Sequence, residues 1–222
     1  GRGIKAFGEM TALHFSFNDK HVYEEVSPDH PLFLLLADLA AKHDIPIDLH
    51  MEAVQNKMPF PAGFDKRSKN NPSSLEPNIP AFEKLLAHNP KARIVWQHIG
   101  WDNTGDMTVE LLRELLKKHS NLFLALRLED RQMTMGRTPM PNRLVDRDWK
   151  IKPEWLALFK EFPDRFVIGT DEFCGPEGAP GLFGNKESPQ SFKETWQFAS
   201  GLPADLAELV CRKNAERIYK MQ

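Results

Sequence analysis

Five short apolar segments alternate with amphipathic helical segments along the chain, and this order limits the folds that it can adopt. The apolar segments are predicted strands at 3–10, 45–51, 92–100, 121–128 and 165–172. The helical segments lie between them, at 31–43, 80–88, 107–118 and 153–161. Strands that are separated by helices pair in parallel through crossover connections. The alternation therefore predicts an α/β fold with a parallel sheet.

The connections between these elements differ in length according to their direction. Each helix-to-strand link is short, whereas long segments follow the strands, at 51–79, 129–152 and 173–188. Long loops in a compact domain usually carry function, and here all of them follow the carboxyl ends of the strands. Both (β/α) barrels and doubly wound sheets place their sites on that side. Of the two, we favour the barrel.

Composition indicates one globular domain over residues 1–222, since 41% of the residues are hydrophobic and 27% are charged. The formal net charge of −2 gives no broad positive field, so we expect no nucleic-acid partner. The longest apolar run, residues 31–41, is too short to span a membrane, so we expect no membrane partner. Cys174 and Cys211 lie far apart without CxxC spacing, which argues against a disulfide framework and agrees with a cytoplasmic protein.

Each predicted strand ends in a side chain that can bind a metal or transfer a proton. These residues are Glu9, His50, His98, Arg127 and Asp171. Each of them alone has an ordinary structural explanation, but in a parallel barrel all of these strand ends meet at one mouth. Histidines and carboxylates are the ligands with which a catalytic zinc keeps a position open for water. The pattern therefore predicts a site for a divalent metal, with zinc as the expected ion.

Four side chains near these strand ends are predicted to contact the substrate: Arg127, Trp101, Glu52 and His14. A guanidinium group binds carboxylates with two hydrogen bonds, so we expect a small, acidic substrate. His43, His88 and His119 lie at predicted helix carboxyl termini, where the helix dipole favours a cation, and we interpret them as structural. The chain lacks GxSxG, GxxxxGK and GxGxxG motifs, which argues against a serine hydrolase or a nucleotide enzyme.

A resemblance to a known family rests on the segments PIDLHME, KARIVWQHIGW, NLFLALR, PDRFVIGTDEF and LPADLAELVCRKNAERIY. In this order they resemble the later part of the amidohydrolase superfamily, in its branch of amidohydrolase-related, metal-dependent hydrolases. The resemblance implies a (β/α)8 TIM-type barrel, of which this chain carries about the last five β/α units. It also implies that His50, His98 and Asp171 are similar to the metal-site residues of the fifth, sixth and eighth strands. Glu9 is similar to the fourth-strand carboxylate that bridges two metals in some members.

The function implied by this resemblance is hydrolysis of an amide, ester or lactone-type bond by metal-activated water. Asp171 would accept the proton of the water, and His98 would bind the metal or act as a catalyst beside the developing oxyanion. Two alternatives stay open. A metal-dependent decarboxylase or lyase could use the same barrel, and a non-catalytic fragment or pseudoenzyme would explain why the chain has no HxH pair.

The main departure from the family pattern is the absence of an HxH pair, which the first strand supplies in the family. With five of the eight strands found in 222 residues, we expect a missing amino-terminal segment, in cis, that carries the other strands and the HxH pair. A complete barrel typically needs about 250 residues. Five strands alone leave two unpaired edges, so we expect the isolated chain to aggregate or to form a homo-oligomer.

Overall fold

Parallel strands form the centre of the computed structural model, which describes residues 4–64, 66–128, 140–171 and 190–221. The strands are β1 (Phe7–His14), β2 (Glu24–Glu25), β3 (Ile47–Met51), β4 (Met58–Pro59), β5 (Ser74–Leu75), β6 (Ile94–Ile99), β7 (Leu122–Leu126) and β8 (Phe166–Ile168). Six of them form one sheet in the order β2-β1-β3-β6-β7-β8, and all of its pairs except β1 with β2 are parallel. The prediction of an α/β fold with a mostly parallel sheet is therefore confirmed.

The helices occupy the predicted places between the strands and continue after β8. They are α1 (Pro31–His43), α2 (Ile79–His88), α3 (Val109–Lys118), α4 (Pro153–Glu161), α5 (Gln190–Gly201), α6 (Ala204–Glu208) and α7 (Asn214–Tyr219), with a π-helical turn at Leu209–Lys213. Proline suits the first turn of α1, α2 and α4, because its missing N–H needs no partner there. Within the described ranges, no helix is long and apolar enough to cross a membrane. The predicted loop 173–188 and Cys174 lie outside the described residues.

Strand order bears on the two architectures that the sequence leaves open. From β1 through β3, β6 and β7 to β8, each parallel neighbour in the sheet is also the next of these strands along the chain. A doubly wound sheet has a point at which this order reverses, and the described strands contain no such point. The sheet is therefore consistent with a TIM-type barrel. The described strands do not close a barrel, since β2 and β8 form the two edges of the sheet.

Strand β1 departs from the predicted boundaries, because it spans Phe7–His14 and does not end at residue 10. Leu13 is buried and pairs with β2, so the sheet continues past the predicted end. Glu9 consequently lies within β1 and not at its end. The pairing of β1 with β3 shifts in register between Phe7 and Met10, and Glu9 lies in this irregular part of the strand.

The central sheet has two different faces. On one face, Leu49 of β3 and Trp96 of β6 pack with side chains of α1 to α4 in the main core. On the other face, Ile218 of α7 packs against Val95, Phe123 and Val167. These three residues lie near the beginning of their strands, so α7 covers the amino-terminal ends of β6, β7 and β8. Polar side chains occupy the same face at the opposite, carboxyl ends of the strands.

Candidate active site

One cavity of about 530 Å³ brings together all of the side chains that the sequence predicts for the site. Its walls include Glu9, His14, His50, Glu52, His98, Trp101, Arg127 and Asp171. These residues come from β1, β3 and the segments that end or follow β3, β6, β7 and β8. Parallel strands thus deliver the predicted residues to one place, and the chemical role of each residue stays a prediction.

Two different local structures direct His50 and His98 into the cavity. Along β3, Ile47, Leu49 and Met51 are buried, and His50 lies on the opposite face by simple alternation. Alternation along β6 would instead place His98 on the same side as Trp96. The backbone of His98 has a φ of 63°, and the pairing of β6 with β7 shifts in register at this point. Such a left-handed conformation costs a non-glycine residue about 1–3 kcal/mol, and strained residues of this kind are concentrated at functional sites.

Glu9 joins the two histidines in a cluster, which we call the ligand cluster (Glu9, His50 and His98). Its Oε1 atom lies 2.6 Å from His50 Nδ1 and 2.7 Å from His98 Nε2. Burial acts to raise the pKa of the Glu9 carboxyl, but hydrogen bonds from both histidines and their charges outweigh it and hold this pKa well below its usual range. Glu9 is therefore an ionised carboxylate between two imidazoles.

The donor set of the ligand cluster fits a divalent metal ion. One ligand atom from each of the three residues lies within 4.8 Å of the others. Imidazole nitrogens and a carboxylate oxygen are typical ligands of zinc, and three protein ligands are the number with which a catalytic zinc keeps a position for water. The residues come from three different strands of a rigid sheet, so their separation depends on the fold and not on a flexible loop.

Asp171 lines the cavity but lies outside the ligand cluster. Its Oδ2 atom is 2.7 Å from Nη1 of Arg127. The guanidinium carbon of Arg127 lies 4.1 Å from the ring centroid of Trp101, which is a cation–π distance. The structure therefore groups these three predicted residues in one ion pair stacked on an indole. In this arrangement Arg127 contacts Asp171, whereas the sequence predicts that it binds the substrate and that Asp171 binds the metal.

Glu52 lies beside the cavity and is almost fully buried, with 6% of its surface exposed. Its Oε1 atom accepts a hydrogen bond of 2.6 Å from Asn103 Nδ2. Burial raises the pKa of Glu52 to about 7, against the opposing effects of the His50 charge and the Asn103 hydrogen bond. Sequence reasoning missed Asn103, since one asparagine in a loop after β6 carries no signal of its own.

Residues 14–21, at the end of β1 and directly after it, contribute more to the cavity than the sequence predicts. The ring of His14 lies 4.5 Å from that of His50, and the ring of His21 lies 4.9 Å from that of His14. Burial lowers the pKa of His14 to about 3, so its imidazole is neutral. Phe17 and His21 also line the cavity. The signal for these two residues was the density of aromatic and histidine residues in HFSFNDKH.

The chain matches a known family over most of its length. The model of the amidohydrolase family matches residues 14–221. No curated protein matches the chain. Among solved structures, the chain is similar to amidohydrolase 2 from Bifidobacterium longum subsp. infantis, with a TM-score of 0.45 and 11% sequence identity. That similarity covers 87% of this chain and 56% of the other protein, so the chain spans little more than half of the length of that protein.

Proposed function

The chain belongs to the amidohydrolase family, and we propose that it is a metal-dependent hydrolase that cleaves an amide, ester or lactone-type bond of a small, acidic molecule. Membership of this family supports the proposal that the chain is part of a hydrolytic enzyme. The observation that carries the metal dependence is the convergence of Glu9, His50 and His98, whose ligand atoms lie within 4.8 Å of one another. Zinc suits this set of ligands best among the common divalent ions.

The ligand cluster would hold the ion, which when bound lowers the pKa of a water molecule and polarises the bond to be cleaved. Asp171 is suited to accept the proton of the attacking water. Arg127, whose Nη1 atom lies 2.7 Å from Oδ2 of Asp171, fixes the orientation of this carboxylate. The guanidinium is in turn held flat on Trp101. In this proposal the main contact of Arg127 is its ion pair with Asp171. The side of the guanidinium group that faces the cavity can also bind a carboxylate of the substrate.

The other predicted contacts form the wall of the substrate site. His14 is neutral and adjoins His50, so it can exchange a hydrogen bond with a polar group of the substrate. Glu52 lies deeper, where its carboxyl group can contact a donor of the substrate. We also propose that the sheet is part of a TIM-type barrel in the whole protein, since the uninterrupted strand order supports this closure.

The test compares His50→Ala with His88→Ala. His88 lies on α2, where its ring contacts Asp38 at 3.1 Å, and it is not among the residues that line the cavity. We expect His50→Ala to lose bound metal and esterase or lactonase activity together, because it removes a ligand. His88→Ala should keep both. Metal content is measured by elemental analysis after loading with zinc, and activity is measured with a panel of carboxylate-bearing esters and lactones.

Product analysis separates hydrolysis from the alternative of decarboxylation. A hydrolase incorporates oxygen from ¹⁸O-labelled water into the acid product, whereas a decarboxylase releases carbon dioxide without it. Unchanged metal content and unchanged rate in His50→Ala would refute the proposal. Loss of carbon dioxide with no labelled oxygen would refute hydrolysis and leave the metal site in place.

A further inference from the structure

A second polar group lies beneath the ligand cluster, and we call it the polar floor (Asp48, Gln97 and Tyr219). Asp48 Oδ1 accepts a hydrogen bond of 2.7 Å from the hydroxyl of Tyr219. The side chain of Gln97 lies close enough to act on both groups, and it lowers the pKa of each. Asp48 precedes His50 by two residues on the same face of β3, and two residues of a strand span about 6.6 Å. The polar floor is therefore one layer nearer to the amino-terminal ends of the strands.

Each residue of the ligand cluster lies within two positions along the chain of a residue that belongs to the polar floor or packs on it. A Cβ atom at Gly8 would lie 2.6 Å from the Cβ of Asp48, so the backbone next to Glu9 packs directly on Asp48. His98 directly follows Gln97, which also lines the cavity. His50 follows Asp48 on the same strand face. The polar floor thus contacts all three strands that carry the proposed ligands.

Tyr219 reaches the polar floor from the other end of the chain, 171 residues after Asp48. It is the last residue of α7, and this helix is fixed to the beginning of β8. The buried side chain of Asn214 donates hydrogen bonds of 2.8 Å and 2.9 Å to the backbone oxygens of Pro163 and Phe166. Ile218 is fully buried against the face of the sheet that carries Val95 and Phe123. The hydroxyl of Tyr219 is therefore held in one position by the packing of its own helix.

We propose that Tyr219 is a positioning residue for the proposed metal centre, acting through Asp48. Its hydrogen bond keeps the Asp48 carboxyl turned toward α7 and away from the ligand cluster. Without the hydroxyl, the half-buried Asp48 carboxyl keeps only Gln97 beside it and loses its fixed orientation. Its side chain then shifts against the backbone beside Glu9, which packs directly on it. The residues of the ligand cluster, whose strands pack on Asp48, move with it.

This inference rests on the proposed metal centre, and it links metal binding to the docking of α7. If docking of α7 favours the aligned ligands, then metal binding must favour the docked α7 to the same extent, because coupling free energies are reciprocal. Groups that orient metal ligands from behind typically change metal affinity by about 10–100-fold. Since Tyr219 acts through Asp48 and does not touch a ligand itself, we expect the lower end of this range.

The test uses Tyr219→Phe, which removes the hydroxyl and keeps the ring. Tyr23→Phe is the matched control, because Tyr23 is the other of the two tyrosines and its hydroxyl donates to Glu25 at 2.9 Å, outside the polar floor. Each full-length protein is titrated with Co²⁺, and both the dissociation constant and the visible absorption of the bound ion are measured. We expect Tyr219→Phe to bind Co²⁺ about tenfold more weakly and with an altered spectrum. Tyr23→Phe should match the wild type in both.

A purely structural role for Tyr219 predicts a different result. If Tyr219→Phe lowers the melting temperature but binds Co²⁺ with the wild-type affinity and spectrum, the inference is overturned and the proposed metal centre stands. A wild-type protein that binds no Co²⁺ refutes the metal centre and this inference together. Hydrogen exchange of the wild type gives a test without any variant. Co²⁺ should slow amide exchange in residues 214–219, and an unchanged exchange rate there overturns the coupling.

Discussion

Burial of Glu52 makes the stability of the metal-free protein depend on pH in a direction opposite to that of most carboxylates. Its pKa is raised from 4.5 to about 7, and a shift of this size corresponds to about 3 kcal/mol. Between these two pH values the unfolded chain has already released the proton that the folded chain retains. The free energy of unfolding therefore falls as the pH rises through this window, and above it the full penalty is present.

The perturbation that isolates this effect is Glu52→Gln, which keeps an oxygen for the 2.6 Å hydrogen bond from Asn103 and cannot ionise. We expect the variant to equal or fall slightly below the wild type at pH 5. At pH 8 it should exceed the wild type by up to about 3 kcal/mol. The assay is urea unfolding at several pH values in the presence of a chelator. The difference between the two proteins at each pH cancels the titration of every other group.

Glu76→Gln is the control for this experiment, because the side chain of Glu76 is 59% exposed and lies on the surface. It should shift the stability by the same small amount at every pH. The reasoning is refuted if the wild type and Glu52→Gln differ by a constant amount from pH 5 to pH 8. That result would mean that water reaches Glu52 and that its pKa is not raised by burial.

Three further changes test other contacts. Arg127→Lys should lower kcat/KM about tenfold with bound metal unchanged, since an ammonium group cannot stack on Trp101 as a planar guanidinium does; steady-state kinetics on the best ester or lactone measure this. Gly8→Ala should lower the free energy of unfolding by about 1–3 kcal/mol in urea, because its Cβ would overlap that of Asp48. Leu35→Lys should reduce self-association in sedimentation experiments, as Leu35 is 54% exposed.

The strand ends that form the site could be predicted because parallel strands leave little freedom. Ile47, Leu49 and Met51 alternate as buried residues, so His50 had to lie on the opposite face. His98 could be assigned to the site, but its orientation could not be derived. Alternation places it with Trp96, and only the positive φ and the register shift of β6 turn it to the other side. Local backbone irregularities of this kind leave no pattern in hydrophobicity.

Side-chain partners were less predictable than positions. The sequence predicts that Asp171 binds the metal together with the histidines, which stays a prediction, and it gives no sign of the ion pair that Asp171 forms with Arg127. The backbone of Asp171 has a φ of 52°, a conformation that the hydrophobic pattern of the sequence does not predict. His21 was missed because long-range contacts position its loop. One of them is the 2.7 Å hydrogen bond between the buried hydroxyls of Ser16 and Ser68, which are 52 residues apart.

The geometry of Glu9 bears on how the proposed cation would enter the ligand cluster. One carboxylate oxygen of Glu9 contacts both histidines, at 2.6 Å and 2.7 Å, so neither imidazole is left without a partner. A cation must replace the hydrogens in these two contacts, because a metal ligand offers a lone pair and not a proton. The ligand atoms already lie within 4.8 Å of one another, so binding requires the movement of protons and small rotations of side chains. The sheet would not need to move, and in our proposal the polar floor would then set how accurately the three ligands are aligned.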